Sequence, residues 1–298
     1  MRRRTLMTLA GAGLLASAGS CGKDADGDGS EVVPVPTGEG KVSLAGMPWA
    51  ECLVITELWR QVLTESGWTV EVRDFDDADE LYRSLAEGEV DVFLDGWLPR
   101  THDPYMRRYG EKIDNISFWY DDAALAIAVP DYVEDLTALD ELDEYADLVG
   151  GRVLGVEASA GVMLAAEEDV WPYYNLEIPI EPSSTDAMLT SLERAVERRE
   201  PVAVTLWTPH WAYEEFGLRS LTDPHNIFDT IETIHVFTRQ GLESDRMRLA
   251  STLRSFSMNE ESLLDLERRA LRGGGSLEEG VSSWRRDNPI GDFLSTDN

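Results

Sequence analysis

Apolar and polar positions follow two distinct periods along the first half of the chain. Residues 42–44 and 69–73 alternate as strands, and Asp91-Val92-Phe93-Leu94 is a short apolar strand. Between them, residues 51–66 and 78–87 carry the helical period, and each run stops at a glycine, Gly67 and Gly88. This β-α-β-α-β order predicts a parallel sheet with crossover helices. The cycle then restarts: strands are predicted at 124–129, 153–156, 202–206 and 233–238. Helices are predicted at 161–168, at 186–199 with Ser183 or Ser184 as cap, and at 244–256 and 260–271. Two α/β units with a helical tail result, and no internal repeat of 20–50 residues is visible. Ligands in open α/β sheets sit beyond the carboxyl ends of strands. Trp49, Trp97, Trp207 and the turn at Gly161 all follow predicted strands.

The N-terminus has a different pattern. Arg2, Arg3 and Arg4 precede an apolar run over residues 6–18, and small residues follow, which is the layout of an export signal over residues 1–20. Arg3-Arg4-Thr5-Leu6-Met7 resembles a twin-arginine signal. The run is too short and too rich in glycine and alanine for a membrane span. Cys21 follows Ala18-Gly19-Ser20 as in a lipoprotein processing site, so lipidation at Cys21 is expected, with a membrane reached through that anchor. Residues 21–40 read as an acidic flexible tether. The other cysteine, Cys52, lies in an apolar run and reads as an inert core thiol.

Charge narrows the partners. The 298 residues hold 57 Asp and Glu against 26 Lys and Arg, a net charge of −31, which excludes nucleic acid as a natural partner. The cations are 23 arginines and three lysines (Lys23, Lys41, Lys112), a balance that fits a salt-adapted surface. No G-x-S-x-G, P-loop or H-E-x-x-H motif is present, and the four histidines are scattered, so neither an enzyme, a metal nor a cofactor is expected.

Tryptophans at strand ends suggest positive chemistry. Indole faces attract cations, and a quaternary ammonium suits them because it donates no hydrogen bond and is cheap to desolvate. The segments Gly46-Met47-Pro48-Trp49-Ala50-Glu51, Asp95-Gly96-Trp97-Leu98-Pro99-Arg100-Thr101-His102, Gly155-Val156-Glu157-Ala158-Ser159-Ala160-Gly161-Val162-Met163 and Leu206-Trp207-Thr208-Pro209-His210-Trp211 then appear in order. Together they resemble the substrate-binding proteins of glycine betaine/proline betaine ABC transporters, over about residues 41–270.

The resemblance implies a two-lobed, type II periplasmic-binding-protein-like α/β fold with a hinge. Lobe one would take 41–123 and 226–298, and lobe two 124–225. It implies a cage of Trp49, Trp97 and Trp207 around a trimethylammonium group. The ligand carboxylate would meet His102 and the N–H groups of Gly161 and Val162. Glu51 either meets a ligand hydroxyl, as an acidic residue here does in choline-binding relatives, or caps the following helix. Met163 either lines the pocket or packs in the core, and His210 either joins the pocket or braces Trp207. Ala158-Ser159 replaces the Pro-Gly common in relatives, so the turn before Gly161 is expected to differ. The implied function is extracytoplasmic capture of glycine betaine for a membrane permease. Choline or carnitine binding, or sensing without transport, are the alternatives.

The acidic surface carries its own prediction. Molar salt shortens the Debye length to about 3 Å and screens like-charge repulsion. The melting temperature should therefore fall as ionic strength is lowered, and a salt-independent melting temperature would contradict salt adaptation.

Overall fold

The computed structural model describes residues 37–295 apart from 39 and 229. The export signal, Cys21 and nearly all of the tether lie outside the described residues.

The chain opens with β1 (Lys41–Gly46), α1 (Ala50–Glu65), β2 (Thr69–Asp74), α2 (Ala78–Ala86) and β3 (Val92–Leu98). β1 pairs in parallel with both β2 and β3, as the alternation predicts. The Asp77 side chain caps α2 by accepting from the Glu80 N–H at 2.9 Å. α3 (Asp103–Tyr109) follows the loop after β3 and was not legible, because its seven residues hold three charged groups and no sustained apolar period.

β4 (Ile113–Pro130) is the spine of the molecule. The sequence suggests a strand only from residue 124, where the apolar run begins. In fact β4 has 18 residues. Its first part pairs antiparallel with β9 (Glu232–Arg239), and from Ala124 onward it pairs with β7 (Ala203–Thr208) and β8 (Leu218–Ser220). The first part is mostly half-exposed and polar-interrupted, so periodicity alone does not reveal it.

β5 (Val153–Leu154) and β6 (Ile180–Glu181) extend the far side in parallel with β7. The strand order is β2-β1-β3-β9-β4-β7-β5-β6, with β8 on β4. Between β5 and β6 lie α4 (Gly161–Ala165), a π-helical turn at Ala166–Val170, and α5 (Trp171–Tyr174). α6 (Thr185–Arg198) is capped by Ser184, whose side chain accepts from the Ala187 N–H.

α7 (Ala212–Phe216) precedes β8. The tail after β9 is α8 (Leu242–Asp245), α9 (Met247–Arg254), α10 (Glu260–Glu267), a π turn at Arg268–Arg272, and α11 (Leu277–Asp287). It packs on α1: Gln61 donates to the Glu278 carbonyl at 2.9 Å, and Arg285 pairs with Glu65 at 2.6 Å. Trp59, Trp119 and Trp284 are fully buried packing residues, and Cys52 is a buried free thiol whose ionisation burial pushes well up.

Two similar corners position the site. β3 ends at Trp97-Leu98 before a cis proline, Pro99, and β7 ends at Trp207-Thr208 before a cis proline, Pro209. β3 also shifts register against β9 between Phe93 and Gly96. Gly96 is required there, because a Cβ would lie 2.3 Å from the Phe237 ring.

Candidate functional site

Trp49, Glu51, Trp97, Thr101, His102, Leu125, Ala160, Gly161, Val162 and Trp207 line one cavity. Every residue assigned from the sequence to the cage or to the carboxylate contact borders it. They arrive from separate elements: Trp49 at the start of α1, Trp97 from β3, His102 just before α3, Gly161 and Val162 from α4, and Trp207 from β7.

The three indoles are buried. Two are fixed through their N–H groups. Trp97 Nε1–H donates to Asp95 Oδ1 at 2.8 Å, and Trp207 Nε1–H donates to Glu51 Oε2 at 2.8 Å. With the N–H tied to a carboxyl at the ring edge, the π face stays available for a cation. Trp49 is held differently, stacked on the His102 ring with centroids 5.6 Å apart.

His102 is 1% exposed. Its Nδ1 accepts the Trp97 backbone N–H at 2.9 Å, and the His102 backbone N–H donates to the Trp97 carbonyl at 3.0 Å. Burial pushes its pKa down to about 3, so the ring is neutral. With Nδ1 an acceptor, the ring proton belongs on Nε2, which is buried without a partner among the described residues. A neutral donor on the wall of an apolar cavity suits an anionic oxygen.

Glu232 braces the same corner from β9, accepting the N–H groups of Arg100 and Thr101 at 2.9 Å each and bonding the Thr101 hydroxyl. Gly161 packs on that corner: a Cβ would lie 2.1 Å from Thr101 Cγ2 and 2.7 Å from its carbonyl oxygen. As first-turn groups, the Gly161 and Val162 N–H have no acceptor inside α4. Ser159, in the turn that departs from the resembled pattern, ties it to the other side of the cavity. Its hydroxyl accepts the Ala78 N–H at 3.2 Å and its carbonyl accepts the Tyr105 hydroxyl at 2.6 Å.

Three expectations are refined. Glu51 does not cap α1; the cap position is Trp49, and Glu51 turns inward to Trp207. Met163 does not border the cavity. It is fully buried under Gly155, where a Cβ would meet its sulfur at 2.6 Å. His210 does not border it either: it packs edge-on against Trp207 at 5.1 Å, with Nδ1 accepting the Ala212 N–H at 3.1 Å. Thr101, Leu125 and Ala160 were missed as lining, and Asp95, Glu232 and Glu267 as supports. Asp95 and Thr101 lie inside the quoted motifs. Glu232 and Glu267 carry no local signal, because only long-range packing brings them in.

Burial raises the carboxyls behind the cage. Glu51 is pushed up to about 7 by desolvation, against hydrogen bonds from its own backbone N–H and from Trp207. Asp95 and Glu267 are also raised, first by burial and then by the charge of Glu51. A carboxyl whose folded value exceeds its ordinary 4.5 contributes stability that is full below 4.5 and lost as pH rises through about 7. Glu51→Gln removes that loss while keeping an acceptor for Trp207. Measured by thermal melts, the variant should gain roughly 3 kcal/mol relative to wild type between pH 4.5 and 8. A constant difference across that window would contradict the assignment.

Residues 40–287 match the family model described as the substrate binding domain of ABC-type glycine betaine transport system. A glycine betaine/carnitine transport binding protein of Listeria monocytogenes is 30% identical over 156 residues, 52% of each chain. The match thus spans about half the length of that curated relative. The lactococcal OpuAC structure, closed and complexed with glycine betaine, aligns with a TM-score of 0.79 and 25% identity, covering 85% of this chain and 98% of that one. The ProX structure from Borrelia burgdorferi, described as a glycine/betaine/L-proline-binding protein, aligns at 0.79 and 25%, covering 86% and 97%. The fold is that of the two-lobed periplasmic binding proteins, and the chain belongs to the family of substrate-binding domains of ABC-type glycine betaine transport systems.

Proposed function

We propose that this protein captures glycine betaine, or a close quaternary ammonium analogue, outside the cytoplasm and presents it to the permease of an ABC importer. The observation that carries the reading is the single cavity whose walls are three buried tryptophans and the unpartnered Nε2 of a neutral histidine. The faces of Trp49, Trp97 and Trp207 take the trimethylammonium group, each well-placed ring contributing about 0.5–2 kcal/mol. The carboxylate accepts from His102 Nε2–H and from the Gly161 and Val162 N–H groups. On this reading the protein acts as a solute binder, as the substrate-binding family it belongs to does.

Binding and closure are one event in this account. Lobe one (41–123 and 226–298) carries Trp49, Trp97 and His102, and lobe two (124–225) carries Gly161, Val162 and Trp207. A ligand touching both favours the closed form by the difference between its affinities for the two states. Cross-lobe ion pairs support closure: Arg100 with Asp169 at 2.7 Å, Arg268 with Glu214 at 2.9 Å, and Arg272 with Glu193 at 2.9 Å and Glu215 at 2.6 Å. The permease then meets the closed form.

The export-signal pattern over residues 1–20 and the lipidation expected at Cys21 support an extracytoplasmic position, with residues 21–40 as the tether. Among the described residues, no helix is long and apolar enough to cross a membrane. The acidic surface suits a salt-rich exterior, where an osmoprotectant is useful. Glu51 on the cavity wall favours choline as the second reading, because its carboxyl is placed to meet a hydroxyl.

Titration followed by tryptophan fluorescence tests the assignments. Trp97→Ala and Trp207→Ala should each raise the Kd for glycine betaine roughly 2- to 30-fold. His102→Ala should weaken glycine betaine more than choline, which has no carboxylate. Normal betaine binding by both tryptophan variants would overturn the cage. Equal losses for the two ligands in His102→Ala would overturn the carboxylate contact.

A further inference from the structure

Behind the cage sit three carboxyls that the binding scheme does not use as ligands. Glu51 on α1, Asp95 on β3 and Glu267 on α10 are each at most 2% exposed. Their hydrogen bonds are one-sided. Glu51 Oε2 accepts from Trp207 Nε1–H, Asp95 Oδ1 from Trp97 Nε1–H, and Glu267 Oε2 from the Trp211 N–H at 2.9 Å. Among the described residues, Asp95 Oδ2 and Glu267 Oε1 are buried without a hydrogen-bond partner, and the Cys52 thiol neighbours Asp95. Among the described residues, none of the three pairs with an arginine or lysine. The electrostatics couple them, since the charge of Glu51 raises both Asp95 and Glu267.

Three like charges out of water and without a counter-ion cannot all ionise. The empty site therefore holds protons. Of the three, only Glu51 borders the cavity. A cation on the Trp207 face would be the missing counter-charge, one hydrogen bond away from its carboxyl.

This inference rests on the functional reading above. We propose that Glu51 is protonated in the empty cage and releases its proton to solvent when a quaternary ammonium enters, so that capture of the ligand is coupled to proton release. The O–H bond of Glu51 Oε1 breaks, the proton passes to the buffer, and the carboxylate keeps its bond from Trp207 Nε1–H. The ligand itself is unchanged.

The other titratable groups around the site do not supply or absorb that proton. His102 is already neutral, and protonating it would require Nδ1 to give up the Trp97 N–H it accepts. His210, behind Trp207, is held neutral in the same way by the Ala212 N–H. Burial keeps the Cys52 thiol and the Tyr82 hydroxyl protonated. Asp95 and Glu267 lie behind the indoles, off the cavity wall.

The test is titration calorimetry of the intact protein with glycine betaine and with choline, in phosphate and in Tris, from pH 6 to pH 8. The two buffers differ in ionisation heat, so a difference in apparent binding enthalpy counts protons released. The expected result is release of up to one proton per ligand near and below pH 7. The apparent affinity should rise by as much as tenfold per pH unit there, for both ligands. Glu51→Gln should still bind and should give equal enthalpies in the two buffers. Ligand binding with equal enthalpies in wild type, or unchanged release in Glu51→Gln, would overturn the proposal while leaving the cage standing. Failure of wild type to bind either ligand would overturn the functional reading, and this one with it.

Discussion

The hydrogen bond from the Trp207 indole to the Glu51 carboxyl joins residues 156 apart in sequence, across the cavity. It does two opposed things. It fixes the plane of a cage ring, and it requires a carboxyl to sit where water cannot reach it. Leaving such a group charged and unpaired would cost several kcal/mol. Burial raises Glu51, Asp95 and Glu267 instead, so the indoles are backed by acids held above the ordinary carboxylate range. The same device holds Trp97, whose N–H bonds to Asp95. Aromatic faces supply attraction without a fixed charge, and the carboxyls behind them supply orientation.

The rest of the fold serves to bring these groups from both ends of the sheet to one place. β4 runs through the middle, pairing with β9 on one part of its length and with β7 and β8 on the other. The two corners after β3 and β7 each present a tryptophan at the carboxyl end of a strand, where α/β sheets bind ligands. Gly161 closes against Thr101 with no room for a side chain, so the backbone of α4 comes close to the wall that carries His102. That closeness allows N–H groups from one side and an imidazole from the other to meet one small anion.

Much of this is legible in the amino-acid sequence. β1, β2 and α1 lie within a residue or two of the apolar and polar periods that suggest them. Trp49, Trp97 and Trp207 stand out because each follows a strand predicted from the sequence. What was not legible has physical causes. The first part of β4 is only half-buried, so its pattern is weak. α3 is too short and too polar to show a period. Glu51 looks like a first-turn acid, and only the approach of Trp207 turns it inward. Glu232 and Glu267 lie in unremarkable polar contexts and acquire their roles from contacts more than 50 residues away. Met163 and His210 belong to the quoted segments yet face away from the cavity, because neighbours in a motif need not share a face.

The central claim is that a quaternary ammonium zwitterion binds between the three indoles with its carboxylate on His102. Calorimetric titration of the intact protein in high salt with glycine betaine, beside choline, tests it most directly. The account predicts saturable one-to-one binding of glycine betaine that exceeds the binding of choline. A folded sample that binds neither ligand would contradict it.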